Sequence, residues 1–366
     1  MSFTLPEYHC PDFSLDLFLQ SPNVTVQKAA KDGVAPKGFH STSMFPEYYK
    51  VEGQWVLAEE SRMDCLVTLD DEGSLQVVEG RQIKAGDQVV MGRTEHGEEG
   101  IYVHDRGFIA PDDANGDKFV FRTGRSRETA FSRDYDKLYE LLEYEKEHGN
   151  IVFVLGPAVA FDNDSRRAMQ LLIENGYVDG ILAGNALATH DLEAGFFKTA
   201  LGQNIYTQES MPNGHYNHLD VLNMVRGYGS IETFIEREGI RDGIVYAMVK
   251  QKKPLVLGGS IRDDGPMPEV YANVYEAQDA MRDVIREATT VISLATQLHS
   301  IATGNMTPSF RVVDGKVRPV FIYSVDISEF AVNKLKDRGS LTATGIVTNV
   351  QDFIVNVAKG LALGKL

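Results

Sequence analysis

Residues 151–184 read IVFVLGPAVAFDNDSRRAMQLLIENGYVDGILAG, and three signals in this stretch decide the fold class. Residues 151–155 form an unbroken β-rich apolar run stopped by Gly156-Pro157. Residues 165–175 carry Ala168, Leu171 and Leu172 at helical spacing, and residues 178–183 form a second apolar strand stopped by Gly184. A strand without polar alternation is buried on both faces. Such strands separated by amphipathic helices, in units of about thirty residues, predict a parallel sheet covered on each side.

Downstream the rhythm returns, with strands at 255–259, 291–295 and 320–325 and helices at 277–288 and 328–338. The expected class is α/β, a doubly wound and mostly parallel sheet. Between Pro212 and Lys253 lies a long helical insertion with Val221, Met224, Val225, Ile231 and Phe234 as its apolar contacts. Upstream, short alternating segments at 65–69 and 88–91 sit between turn signals at 71–74, 84–87 and 97–100, which predicts a β-rich region with hairpins. A helix then starts near Asp134, capped by Ser132 or Asp134, carries Leu138, Leu141 and Leu142 on one side and ends at His148-Gly149. The expected organisation is a smaller β-rich N-terminal substrate or accessory domain, residues 1–125, followed by an α/β cofactor-binding catalytic domain, residues 126–366.

The chain has 366 residues, 43% hydrophobic and 24% charged, enough for two domains of ordinary size. Its 36 Lys and Arg against 52 Asp and Glu leave a net charge of −16, which argues against nucleic acid or an anionic membrane as partner. The acidity is local: residues 52–117 hold 16 acids and 5 bases, and residues 118–133 reverse to 5 bases and 1 acid. No secretory signal opens the chain and no 18 uncharged apolar residues run together, so a cytoplasmic location is expected. Cys10 and Cys65 are too few for a disulfide framework or a four-thiolate site, and buried free thiols are expected.

Ligands of an open α/β sheet lie beyond the C-terminal ends of its strands. The residues found there are Gly156-Pro157-Ala158-Val159, Gly184-Asn185-Ala186-Leu187, Ser260-Ile261-Arg262-Asp263-Asp264-Gly265-Pro266, Thr296-Gln297-Leu298-His299-Ser300, Asp326 and Thr348-Asn349-Val350. Glycines let backbone approach phosphates, and a carboxylate such as Asp326 accepts ribose hydroxyls. The same residues also end strands and cap helices. No G-x-G-x-x-G follows a strand, Gly227-Tyr228-Gly229 sits inside a helical pattern, and no G-x-x-x-x-G-K-[ST] is present. Arg262-Asp263-Asp264 is the densest charged cluster at these ends, suited to holding an ammonium and a carboxylate or to base chemistry, or else a simple Asp-Asp-Gly-Pro turn. His215 and His218 share a helix face but have no third ligand at fitting spacing, so no metal is expected. His299 is an acid/base candidate by position. Ser260 is no nucleophile elbow, because Arg262 stands where the closing glycine would be.

Taken in order, Leu182-Ala183-Gly184-Asn185-Ala186-Leu187-Ala188, His190-Asp191, the segment 258–266, Leu298-His299-Ser300-Ile301-Ala302-Thr303-Gly304-Asn305-Met306, Asp337-Arg338-Gly339-Ser340 and Gly345-Ile346-Val347-Thr348 resemble the archaeal-type ornithine cyclodeaminase family. That family is also known as the LOR/SDH conserved-region proteins. The resemblance spans about residues 150–360 and extends weakly through Met63-Asp64-Cys65 and residues 83–90. It implies an NAD-binding domain related to that of deoxyhypusine synthase, which accounts for a dinucleotide site without the glycine fingerprint. It also implies conversion of L-ornithine to L-proline and ammonia with tightly held NAD. Carried over by position, Asn185, Ala186, Asp263, Thr296, Gln297, Leu298, His299, Asp326, Asp337 and Arg338 are the implied cofactor contacts.

This chemistry needs a base, because hydride leaves the α-carbon of an amino acid only when its amine is neutral. Asp264, His218 and His299 are the candidates for catalysis, and Arg62, Arg262 and Asn217 for holding the amino acid. Residues 120–128, Val-Phe-Arg-Thr-Gly-Arg-Ser-Arg-Glu, depart from the family's serine-rich segment. That departure keeps open an NAD-dependent oxidoreductase or aminoalkyl transferase acting on another amino acid or amine, and a non-catalytic NAD-binding regulatory protein is the third reading. The expected partners are a small amino acid and further copies of the chain; the insertion at 212–253 is either a face between copies or a lid.

Overall fold

The computed structural model describes residues 3–108, 132–263, 265–328 and 341–364, with backbone alone for Ser132, Arg133, Gln297 and Leu298. The front carries helix α1 (Asp16–Gln20) and strands β1 (Thr25–Lys28), β2 (Glu47–Val51), β3 (Gln54–Leu57), β4 (Leu66–Leu69), β5 (Leu75–Val78), β6 (Gln88–Met91) and β7 (Ile101–Val103). They form two antiparallel sheets, β1-β6-β4-β5 and β3-β2-β7. Tyr49 and Ile101 from one sheet pack with Val67, Val77 and Val90 from the other, and the hairpin prediction is fulfilled. Cys65 is buried in this core as expected. Cys10 is not: it is exposed, lying in the irregular segment before α1 on the wall of an open cleft.

Helix α2 (Ser132–His148) leads into β8 (Ile151–Leu155), α3 (Asn163–Glu174), β9 (Gly180–Gly184), α4 (Asn185–Phe197) and a short hairpin of β10 (Thr199–Ala200) and β11 (Gln203–Asn204). The insertion is three helices, α5 (Asn217–Tyr228), α6 (Ile231–Glu238) and α7 (Ile244–Gln251). Then follow β12 (Leu255–Gly258), α8 (Val274–Ile285), β13 (Thr290–Leu294), α9 (Gln297–Met306), the hairpin β14 (Phe310–Val313) and β15 (Lys316–Pro319), β16 (Phe321–Asp326), β17 (Ala343–Val347) and α10 (Val350–Gly360).

Six strands pair in parallel in the order β12-β9-β8-β13-β16-β17. By appearance along the chain that is 3-2-1-4-5-6, the order of an open dinucleotide-binding sheet. Ile151, Phe153 and Leu155 of β8 pack with α2, α3, α7 and α10, whereas Val152 and Val154 pack with Met281 and Ile285 of α8. Period-2 side chains thus bury both faces, which is why this strand shows no polar alternation. The sheet grows from β8 outward to β12 and then restarts on the other side with β13. Leu155 pairs with both Ala183 and Leu294, and Gly258 pairs with Gly184, so four strands end level at this switch point.

Differences from the sequence expectations are local. α8 begins at Val274, earlier than residue 277, because Asn273 caps it by accepting the Tyr275 N–H at 2.9 Å. Gly229, at φ 81°, ends α5 in the left-handed region, so Gly227-Tyr228-Gly229 is a helix terminus. The helix expected at 328–338 and the division at 125/126 fall outside the described residues, except Ser328. The front sheets join the parallel-sheet body through Arg81–Asp279 (2.5 Å), Arg286–Glu60 (3.2 Å) and the pair of Arg282 with Glu79. Among the described residues no helix is long and apolar enough to cross a membrane.

Candidate functional site

Beyond the level ends of β8, β9, β12 and β13 lies a cavity of about 530 Å³, a size ordinary for a small-molecule site. Gly156 and Pro157, Gly184 to Leu187, Ser260, Arg262, Asp263, Thr296 and His299 line it from the sheet side; Leu201, His215, His218 and Leu222 close it from the insertion side. Two glycines make this packing possible. A Cβ on Gly156 would stand 2.0 Å from the Ala295 carbonyl oxygen, so no other residue lets the ends of β8 and β13 approach. A Cβ on Gly184 would stand 3.1 Å from Cε1 of His299, so the imidazole rests against the bare strand end. Gly184 is also the N-cap of α4, and the first residues of that helix, Asn185, Ala186 and Leu187, face the cavity. Helix N-termini hold unpaired amide donors and favour anions.

The charged groups are held in place by their own loops. Asp263 accepts the Ser260 N–H at 2.7 Å, and Arg262 N donates to Ser260 Oγ at 3.0 Å, so this cluster is both a self-bonded turn and a cavity wall. Asn185 Oδ1 accepts the Met267 N–H at 3.2 Å and pins the loop after β12 to α4. Burial pushes the His299 imidazole below its ordinary range, against an opposing pull from Asp263. The ring is therefore neutral near pH 7 and available as a proton acceptor.

One group was missed. His190 also lines the cavity, and its Nδ1 is 2.8 Å from Oε2 of Glu193, a fully buried carboxylate. Glu193 Oε1 accepts the Thr199 hydroxyl at 2.8 Å and the Gly202 N–H at 3.3 Å, and Asn217 Nδ2 donates to Thr199 Oγ1 at 2.8 Å. Rings of Phe161 and His218 stand 5.5 and 6.0 Å from that of His190. A signal was available: Thr189, His190, Asp191 and Glu193 follow a glycine-ended strand inside a helix that, after its opening Asn185, is otherwise built of Ala, Leu, Gly and Phe, and buried polar side chains need dedicated partners. Asp191 is different. It pairs with the buried Arg166 at 2.8 Å and accepts the first amides of α7, from Ile244 at 3.1 Å and Val245 at 2.8 Å, so it is a structural node.

The cavity thus gathers Asn185, Ala186, His218, Arg262, Asp263, Thr296 and His299. Gln297 and Leu298 open α9 beside them, with side chains outside the described residues, where Asp264, Asp337 and Arg338 also lie. Asp326 ends β16 and spends Oδ1 on the Ser328 N–H at 2.8 Å; it does not line the cavity. Asn217 is not brought to the cavity either, because its amide is used by Thr199. Arg62 lies in a separate cleft of about 800 Å³ between the front sheets and α8, buried, with Nη1 2.9 Å from Glu60. Among the described residues no three His, Cys, Asp or Glu side chains converge as a metal set.

Two family models match the chain: the first C-terminal region of the ArgZ-like arginine dihydrolases over residues 46–124, and their C-terminal Rossmann-fold region over residues 137–357. A protein of Methanocaldococcus jannaschii named ornithine cyclodeaminase is 39% identical over 341 residues, covering 90% of this chain and 76% of its own. The bifunctional arginine dihydrolase/ornithine cyclodeaminase AgrE of Nostoc is 33% identical over 346 residues, 93% of this chain and 47% of its own. A crystal structure of a conserved LOR/SDH protein from Methanococcus maripaludis superposes with a TM-score of 0.83 at 34% identity, covering 93% of this chain and 98% of that one. AgrE solved with ornithine and NAD+ superposes at 0.57 and 30% identity, covering 95% and 47%. The chain belongs to the family of the archaeal ornithine cyclodeaminases and the ArgZ-like C-terminal Rossmann-fold regions.

Proposed function

We propose that the chain converts L-ornithine, or a close diamino acid, to L-proline and ammonia with NAD as its bound redox group. The observation that carries this reading is the cavity at the switch point. Its strand ends and the start of α4 offer what a dinucleotide needs, and His190, His218, His299, Arg262 and Asp263 around the same cavity are groups a small zwitterionic amino acid needs. The residues fit the cofactor: Gly156, bare of a Cβ, lets the ends of β8 and β13 come together at the crevice, and the amides opening α4 suit a pyrophosphate. The proposed contacts are Asn185, Ala186, Asp263, Thr296 and His299 in the cavity, joined on sequence position by Gln297, Leu298, Asp326, Asp337 and Arg338. When bound, NAD supplies reversible two-electron chemistry at the substrate's α-carbon.

The chain's own residues bind, orient and move protons. Arg262 matches an α-carboxylate, and Asp263 or Asp264 a distal ammonium. An amine must lose a proton before it reacts, and the nitrogen that departs must regain one, so the site needs an acceptor that returns its proton. His190, His218 and His299, the last kept neutral by burial, line the cavity where such an acceptor is needed. The relatives support the reading, since the archaeal proteins are named ornithine cyclodeaminase and AgrE has been solved with ornithine and NAD+. The proposal includes a front domain of residues 1–125, a catalytic domain of residues 126–366, a cytoplasmic location and assembly into a homo-oligomer, the last measured by light scattering. Incubation of the purified protein with NAD and L-ornithine tests the reaction. Proline and ammonia in equal amounts are expected; NAD binding with no product from any diamino acid would leave a non-catalytic NAD-binding protein instead.

A further inference from the structure

We infer that His190, oriented by Glu193, is the group that takes the proton from the substrate's amine in the strand-end cavity and returns it to the departing nitrogen. The inference rests on the reaction proposed above and adds a residue pair to it. His190 and Glu193 stand three residues apart on α4, a spacing that puts both side chains on one helix face. Glu193 receives the Thr199 hydroxyl, the Gly202 amide and Nδ1 of His190. Asn217 sets the sense of that chain: its Nδ2, the donor end of the amide, donates to Thr199 Oγ1, so the Thr199 proton points to Glu193. With Nδ1–H donating to a carboxylate, the neutral imidazole carries its lone pair on Nε2. No hydrogen bond reaches that nitrogen among the described residues, and the ring borders the cavity.

Proton acceptance creates an imidazolium in a largely buried site, where an unpaired charge is costly. His190 has the counter-charge built in, 2.8 Å away and fully buried. His299 has no carboxylate hydrogen-bonded to it among the described residues: Asp263 acts on it through charge alone, and that carboxylate is engaged by the Ser260 amide. His218, facing His190 from α5, has no carboxylate partner among the described residues. The step balances. The amine's N–H bond breaks, nitrogen keeps the electron pair, and the proton moves to Nε2; when the amino group leaves, the same proton goes with it as part of ammonia and the imidazole is neutral again.

The test uses His190→Gln and the near-isosteric Glu193→Gln, each checked for unaltered thermal unfolding and NAD binding. Glutamine at 193 presents a donor to Nδ1 and drives the ring proton to Nε2, so both variants should lose about 10²–10⁴-fold in turnover with KM for ornithine changed less than about threefold. The double variant should lose no more than the worse single one. Nitrogen-15 NMR of the free protein supplies a readout independent of activity. It should show Nε2 of His190 unprotonated in the neutral wild-type ring and protonated in Glu193→Gln. Turnover of His190→Gln at the wild-type rate, or a wild-type ring protonated on Nε2, overturns the inference. If wild-type protein makes no proline, the ornithine reading fails, and the tautomer measurement still decides whether Glu193 sets the ring.

Discussion

Replacing Gly156 by alanine tests whether the crevice depends on the close approach of β8 and β13. The new Cβ would fall 2.0 Å from the Ala295 carbonyl oxygen and 2.7 Å from its carbon. Ordinary contact begins near about 3.5 Å, so the strand ends must part by more than about 1 Å. That movement breaks the 2.8 Å bond from Gly156 N–H to the Leu294 carbonyl, a loss of about 0.5–1.5 kcal/mol, and adds overpacking strain of about 1–3 kcal/mol. The expected destabilisation is roughly 2–4 kcal/mol, which at a urea slope of about 3 kcal/mol/M moves the midpoint by about 1 M. Affinity for NAD, measured by calorimetry under native conditions, should fall more than tenfold, because the walls of the crevice are displaced. Gly227→Ala is the control. Its Cβ meets nothing within 4 Å on a helix, so it should stabilise by about 0.5–1 kcal/mol and leave NAD binding unchanged. A Gly156→Ala protein with the wild-type midpoint and wild-type NAD affinity would refute the reasoning.

Asp191→Ala should cost about 2–4 kcal/mol in urea unfolding, because it leaves the buried Arg166 with Asp242 as its remaining carboxylate partner and uncaps α7; a loss under about 1 kcal/mol would remove Asp191 as a structural node. Asn217→Ala should cost about 0.5–1.5 kcal/mol with KM for ornithine kept within about threefold, whereas a tenfold rise in KM with full stability would make it a substrate contact after all. His299 is held neutral by burial when the same residue in the unfolded chain begins to protonate. Unfolding therefore takes up a proton, and this contribution to stability, complete above about pH 6.5, is lost as pH falls below it. His299→Asn should flatten the slope of unfolding free energy on the acid side of about pH 6.5, and an unchanged slope would contradict the assignment.

The parallel sheet was legible because β8 and β9 are buried on both faces and each stops at a glycine: Leu155-Gly156 and Ala183-Gly184 mark both the class and the edge where ligands bind. Strand order was not legible, since nothing local in residues 290–294 says that β13 pairs with β8 rather than with β12. The cavity wall was largely readable, as Asn185, Asp263, Thr296 and His299 follow strand ends directly. His190 was visible only as part of a motif, because what makes it chemically distinct is long-range: Glu193 is buried by Thr199 and Gly202, and Thr199 is oriented by Asn217 from the insertion. Arg62 and Asn217 illustrate the converse. Their side chains invite a ligand role in isolation, yet tertiary packing sets one beside Glu60 in the cleft between the front sheets and α8 and the other on a hydroxyl.

The central claim is that a bound redox group removes hydrogen from the α-carbon of ornithine and gives it back within one turnover. L-ornithine deuterated at the α-carbon, incubated with the protein and NAD, measures this by mass spectrometry of the proline formed. The account predicts proline that retains the deuterium at its α-carbon, released with one ammonia and with no net gain of reduced nicotinamide. Deuterium lost to solvent, or reduced nicotinamide accumulating in step with ornithine consumed and no proline, would contradict it.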